Sequence, residues 1–262
     1  MSAAQKPAQT EDLYAAEEWR LRCELAACYQ LADLYEMSDM AGTHISVRLP
    51  GPEHHFLLNR FGMFFDEITA SSLIKVDLDG NVIGANPEHL NPAGFVIHSA
   101  IHMADPDLVC VMHTHTRANN GVSMQEEGLL PLSQKALLMW DFVRYHDFEG
   151  QALDFEERER IVHDLGPDGR AVILRNHGGL TVGKSVAEAF CWMYRLEAAC
   201  RYQIDALSGS RPLKWLSPET VEKTARQGRK AFGPGGFAEV GKLEWGALIR
   251  KLERERGKGY RT

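Results

Sequence analysis

Leu108-Val109-Cys110-Val111-Met112-His113-Thr114-His115 is an almost wholly apolar run that ends in two histidines one residue apart. Such a run predicts a short strand over Leu108–Met112 with both faces buried. Side chains alternate across a strand, so His113 and His115 point the same way, with backbones about 6–7 Å apart. That spacing lets two imidazoles meet one ion at roughly 2.0–2.1 Å each. Cys110 has the opposite parity and is a poor candidate ligand. A second short apolar strand, Ala171-Val172-Ile173-Leu174, runs out into Asn176-His177-Gly178-Gly179, where the glycines free the backbone for a close approach. Two histidines at a strand end also fit a plain hydrogen-bonded pair. A third, at the end of another buried strand, favours a metal site with open positions for water or substrate.

Working outward, the apolar spacing from Asp12 to Met37 predicts one long helix. Thr43-His44-Ile45-Ser46-Val47-Arg48-Leu49 alternates with period two and predicts a strand ending at Pro50, with another around Phe56-Leu57-Leu58. Ser72 to Ile83 predicts a hairpin with Asp79-Gly80 in its turn. Asn91-Pro92-Ala93-Gly94 punctuates the chain before a helix over Phe95–Ala104 that carries His98 and His102. Ser185-Val186-Ala187-Glu188 has capping-box form and opens a long helix to about Leu207. A further helix follows Ser217-Pro218, and a last basic one, near Val240–Arg256, follows the break at Gly233-Pro234-Gly235-Gly236. Trp245, Leu248 and Leu252 sit at packing spacing on it. Residues 1–11 read as a disordered leader, 12–232 as one α/β domain, and 233–262 as a helical tail against the body or a neighbouring subunit.

The chain has 262 residues, 44% hydrophobic and 25% charged, and a formal net charge of -7. That balance fits a soluble protein and argues against a nucleic-acid groove. No apolar run is long enough to span a membrane, and the first residues lack a signal-peptide core. Cys23, Cys28, Cys110, Cys191 and Cys200 are scattered, which suits reduced thiols in a cytoplasm.

The motifs His44-Ile45-Ser46-Val47-Arg48, Ile68-Thr69-Ala70-Ser71-Ser72-Leu73, Asn91-Pro92-Ala93-Gly94-Phe95, His98-Ser99-Ala100-Ile101-His102, His113-Thr114-His115 and Leu174-Arg175-Asn176-His177-Gly178 together resemble the class II aldolase/adducin family, from about Leu31 to Leu207. The resemblance implies a three-layer α/β/α fold around a central, mainly antiparallel sheet. It implies a cyclic homotetramer with active sites between subunits. It implies that His113, His115 and His177 hold a divalent metal, zinc first, with manganese or iron as other options. The metal would polarise a carbonyl or enediolate so that a neighbouring C–C bond breaks.

The sugar-phosphate aldolases of that family carry a proton-moving glutamate preceded by two serines, and an asparagine, that hold substrate. The matching positions here are His98, then Val96 and Ile97, and His44. Apolar side chains donate nothing to a phosphate dianion, so phosphate handling by that route is disfavoured. His98 reads as a proton carrier or a fourth ligand, against a plain structural histidine. His44 matches a substrate-contacting position. Arg60 and Gly62 lie in the turn that matches the family's anion-holding loop, where an arginine could grip a carboxylate; a solvated charge is the bland alternative for Arg60 and for Lys75. His102, one turn beyond His98, reads as support for the site or as packing. Tyr145-His146 reads as a loop within reach of a site, although loop histidines are usually solvated. Glu88 and His89 read similarly, and His54, His55 and His163 as surface residues.

Three functions are compatible with this sequence. The first is a metal-dependent lyase, aldolase or decarboxylase acting on a small non-phosphorylated oxo- or hydroxy-acid. The second is a non-haem iron oxygenase of the arylpyruvate-decarboxylating kind. The third and weakest is a non-enzymatic assembly head as in the cytoskeletal adducins, because the resemblance implies that those proteins lack the complete triad.

Overall fold

The computed structural model describes residues 16–84, 90–150 and 156–262. The expected leader over 1–11, the start of the first helix, and Glu88 and His89 lie outside the described residues. Strands β1 (His44–Arg48), β2 (Phe56–Leu58), β3 (Ile74–Val76), β4 (Val82–Ile83), β5 (Cys110–Thr114), β6 (Val143–His146), β7 (Ala171–Leu174) and β8 (Gly178–Gly183) form one sheet. Its order is β4-β3-β2-β1-β5-β8-β7-β6. Every neighbouring pair is antiparallel except β6 and β7.

Helices α1 (Ala16–Leu34) and α6 (Val186–Ser208) cover one face, and α2 (Pro92–Ala104) and α5 (Glu157–Leu165) cover the other. The pleat of β5 shows why. Cys110 and Met112 pack with Leu25, Trp192 and Met193 on the α1/α6 side, while Val111 packs with Ile97, Ile101 and Ile161 on the α2/α5 side. Each large apolar side chain buried this way contributes about 1.5–3 kcal/mol. Three layers result, as the family resemblance implied.

Short helices α3 (Arg117–Ser123) and α4 (Gln134–Met139) lie between β5 and β6. Helices α7 (Pro218–Phe232) and α8 (Glu244–Arg256) follow α6, and Leu252 and Tyr260 are buried in the α1/α6 core. The Ala70 amide donates to the Tyr260 carbonyl at 2.8 Å, and Arg256 pairs with Asp33 at 2.6 Å. The segment after the Gly/Pro break therefore lies against the body of its own chain. Ser185 caps α6 by accepting from the Glu188 amide, but the Glu188 carboxylate reaches the Lys184 amide, so only half of the expected capping box forms.

Three sequence expectations shift. Strand β5 begins two residues late, because a turn holds the Leu108 amide on the Asp105 carbonyl at 3.1 Å. Tyr145 and His146 lie in a strand, not a loop, since β6 pairs in parallel with β7. Gly178-Gly179 opens β8, where the sequence reading placed no strand. A Cβ at Gly178 would stand 2.5 Å from the Thr114 carbonyl oxygen, and one at Gly179 would stand 2.3 Å from Asn119 Nδ2. The glycines let a central strand pass tightly beside the histidines.

Candidate metal centre

Tyr29 on α1 locks β1 in place: its hydroxyl accepts from the Ile45 amide at 2.7 Å and donates to Asn59 Oδ1 at 2.7 Å. β1 and β5 then pair so that His44 stands opposite His113. Beyond β5, His115 lies on the same side as His113. The reverse turn after β7 delivers His177, with Asn176 in the left-handed region at φ 56° and the His177 amide bonded to the Leu174 carbonyl at 3.1 Å.

One ligand atom from each of His113, His115 and His177 lies within 4.8 Å of the others. His113 Nδ1 lies 3.0 Å from the Gly179 carbonyl and His115 Nδ1 lies 2.9 Å from Asp39 Oδ2. A carbonyl and a carboxylate only accept, so both protons sit on Nδ1 in the neutral rings and both Nε2 atoms are bare. Those two Nε2 atoms face each other at 2.9 Å. Two lone pairs at that distance repel, and a cation satisfies both. The donor set of His113, His115 and His177 therefore fits a divalent metal ion.

Burial, and then the neighbouring imidazoles, hold His113 well below the usual histidine range and His177 down to about 4. Both rings are thus uncharged at neutral pH, as ligands must be.

A second row of side chains runs away from this cluster. The His44 ring lies 5.1 Å from that of His113, and its Nδ1 is 2.8 Å from His98 Nε2. His98 Nδ1 is 2.6 Å from Ser46 Oγ, which is 2.7 Å from His102 Nε2, and His102 Nδ1 is 3.1 Å from the Leu108 carbonyl. His44, His98 and His102 are buried. Burial pushes His44 down to about 3, His102 down to about 4, and His98 well below its ordinary value. Both nitrogens of His98 are occupied, so no lone pair on it is directed at an ion.

The remaining candidates stand further out. Continuing the β1/β2 register sets the backbone of Arg60 across from His44, in a turn where Gly62 takes φ 98°. Tyr145 turns elsewhere: its hydroxyl accepts from the Leu129 amide at 3.0 Å and its ring carries the Arg175 guanidinium. His146, expected in solvent, is buried, with Nδ1 2.7 Å from Asp164 Oδ2 and Nε2 3.5 Å from Glu157 Oε1. Val96 and Ile97, at the serine positions, are buried. The exposed Phe148 ring lies 6.4 Å from that of His177 and forms one wall of the neighbouring groove.

Sequence reasoning missed Asp39, Ser46 and the Gly179 carbonyl. Ser46 was within reach, because it shares the parity of His44 on β1. Asp39 lies in a loop far along the chain from His115 and left no signal.

The profile of the Class II Aldolase and Adducin N-terminal domain matches residues 23–204. The chain belongs to this family. It is 47% identical to an aldolase II superfamily protein from Pseudomonas syringae, covering 97% of this chain and 100% of that one with a TM-score of 0.88. An L-fuculose 1-phosphate aldolase from Glaciozyma antarctica is 27% identical over 98% of this chain and 97% of its own, with a TM-score of 0.79. Mouse alpha-adducin is 41% identical over 258 residues, which are 95% of this chain but 35% of that protein. Among the described residues no helix is long and apolar enough to cross a membrane.

Proposed function

We propose that this chain is a metal-dependent lyase, of aldolase or decarboxylase type, that cleaves a C–C bond in a small non-phosphorylated oxo- or hydroxy-acid. The observation that carries it is the pair of bare Nε2 atoms on His113 and His115, 2.9 Å apart and joined by His177. A divalent ion there, with zinc ahead of manganese and iron, supplies Lewis-acid polarisation of a carbonyl or enolate oxygen. His113, His115 and His177 hold it, the Gly179 carbonyl and Asp39 orient two of them, and His44 stands beside them to meet substrate. Arg60 and Gly62, at the His44 end of the sheet, grip the carboxylate.

The likeness to L-fuculose 1-phosphate aldolase supports aldolase-type chemistry. The buried apolar side chains of Val96 and Ile97 speak against a phosphate ester. An assembly role like that of the adducins is less well supported, because this chain keeps a converging histidine triad. A homotetramer with the site at a subunit boundary is supported by the exposed apolar side chains Met40, Phe61 and Phe148, on the segments that carry Asp39, Arg60 and the groove beside His177. A cytoplasmic location is supported by five cysteines, none of which forms a disulfide among the described residues.

The test is cleavage of a panel of 2-oxo and hydroxy-aromatic acids by protein loaded with Zn²⁺, Mn²⁺ or Fe²⁺, with oxygen monitored and L-fuculose 1-phosphate as the comparison. Metal-dependent cleavage of an acid without oxygen uptake is expected. Faster cleavage of the sugar phosphate overturns the proposal, and oxygen uptake with Fe²⁺ replaces it by an oxygenase, which the all-imidazole donor set also suits.

A further inference from the structure

The bond directions in the buried row follow from one carbonyl. Leu108 O can only accept, so His102 Nδ1 carries the proton and, in a neutral ring, Nε2 is bare. The Ser46 hydroxyl therefore donates its single proton to His102 Nε2. With that proton used, Ser46 Oγ can only accept from His98, which puts the His98 proton on Nδ1 and leaves Nε2 bare. His98 Nε2 then accepts from His44 Nδ1, and His44 is left with a bare Nε2. Every ring in the row is deeply buried and, among the described residues, its nitrogens meet only other rings, the Ser46 hydroxyl and a backbone carbonyl, so no carboxylate is there to hold a charged form. His44 Nε2 has no hydrogen-bond partner among the described residues, and Gly94 lets the backbone of α2 pack close against the ring: a Cβ there would stand 2.6 Å from Nε2.

We propose that the Leu108 carbonyl, acting through His102, Ser46 and His98, fixes His44 with a bare Nε2 beside the metal site, and that this nitrogen selects substrates bearing a hydroxyl next to their metal-binding group. The location of that hydroxyl rests on the proposed metal-dependent function; the bond directions do not. His98, Ser46 and His102 are on this account positioning residues, and His44 is the one that touches substrate. The consequence is chemical selectivity without any change of charge: a hydroxy-acid donates into Nε2, and the same acid lacking the hydroxyl leaves that acceptor unmatched.

The experiment has two arms. In the first, full-length metal-free protein carrying ¹⁵N-labelled histidine is examined by long-range ¹H–¹⁵N correlation at neutral pH. His44, His98 and His102 are all expected as Nδ1–H tautomers; a proton on His44 Nε2 overturns the proposal. In the second, Zn²⁺-loaded protein is titrated with glycolate and acetate, the smallest acids with and without the hydroxyl. Wild type is expected to prefer glycolate. Ser46→Ala is expected to weaken glycolate about 10- to 100-fold with acetate and zinc content unchanged, and Ser46→Thr, which restores a hydroxyl, to recover it. Equal loss for both acids, or loss of zinc, overturns the proposal. If Ser46→Ala fails to fold, the wild-type tautomers still decide. The expected tautomers and preference in a protein that cleaves no acid would support the wiring while removing the lyase reading.

Discussion

Two groups of histidines share one face of the sheet, and the edge between them is the 5.1 Å contact of the His44 and His113 rings. In the triad, His113 and His115 are each tied through Nδ1 to an acceptor outside the cluster, so their Nε2 atoms are bare and face each other. In the row, each ring is tied to the next, so every nitrogen but one is consumed. The same residue type thus builds a cation-binding centre in one place and a rigid neutral spacer in the other. What separates them is where Nδ1 finds its acceptor.

The largest expected effect breaks the triad itself. His177→Ala removes one of the three proposed ligands and is expected to cost more than the roughly 100-fold typical of a supporting residue in metal affinity. Because His177 sits on a reverse turn at the edge of the groove, the fold should survive. Zinc content by elemental analysis, alongside unchanged far-UV circular dichroism, checks it. Zinc retained at full occupancy would show that the three imidazoles are not the ligands.

Acid should separate the two groups by a smaller effect. His44 is held down to about 3, and His102 and His177 down to about 4, while an unfolded histidine titrates near 6.5. Below that value the unfolded chain takes up protons that the folded rings refuse, so stability is full above about pH 6.5 and is lost as pH falls toward 4. Metal-free protein should therefore melt at progressively lower temperature between pH 7 and pH 5. Saturating Zn²⁺ offsets only the triad's share, and the slope from His44, His98 and His102 should remain. A melting temperature flat across that range in metal-free protein contradicts a buried neutral row.

The triad and its face were legible because a period of two in Val111-Met112-His113 fixes which side chains share a side, whatever the rest of the chain does. The layers followed from the family likeness and hold in the sheet order and in the two cores. Strand β8 was not legible, because Gly178-Gly179 has no strand propensity of its own; pairing with β5 and β7 makes it a strand, and the closeness of Thr114 and Asn119 requires the glycines. Strand β6 was hidden in the same way, since Val143-Arg144-Tyr145-His146 becomes a strand by pairing with β7. His98 stood out in the sequence as a replacement for a glutamate. Its role depends on Ser46, which reaches it from β1, and on His102 in the next turn of its own helix, which takes the Ser46 proton.

The smallest expected effect concerns Asp39, the one acid among the described residues that touches the triad. Asp39 is half exposed, so its pairing with His115 is partly screened and adds little to folding. Its carboxylate nevertheless fixes the His115 tautomer and raises the basicity of Nε2. Asp39→Asn can still accept the Nδ1 proton through its amide oxygen, but it lacks the charge and can present its NH₂ group instead. Zinc affinity should drop about 10-fold, at the low end for such partners, with no change in melting temperature of the metal-free protein. Asp39→Ala should fall further along the same scale. The Gly179 carbonyl, which no side-chain substitution removes, would keep His113 in place in both variants. Competition against a chelator of known affinity reads the difference. If Asp39→Asn and wild type bind zinc equally, the His115 tautomer is set by the ion alone, and only His113 retains a protein-imposed orientation.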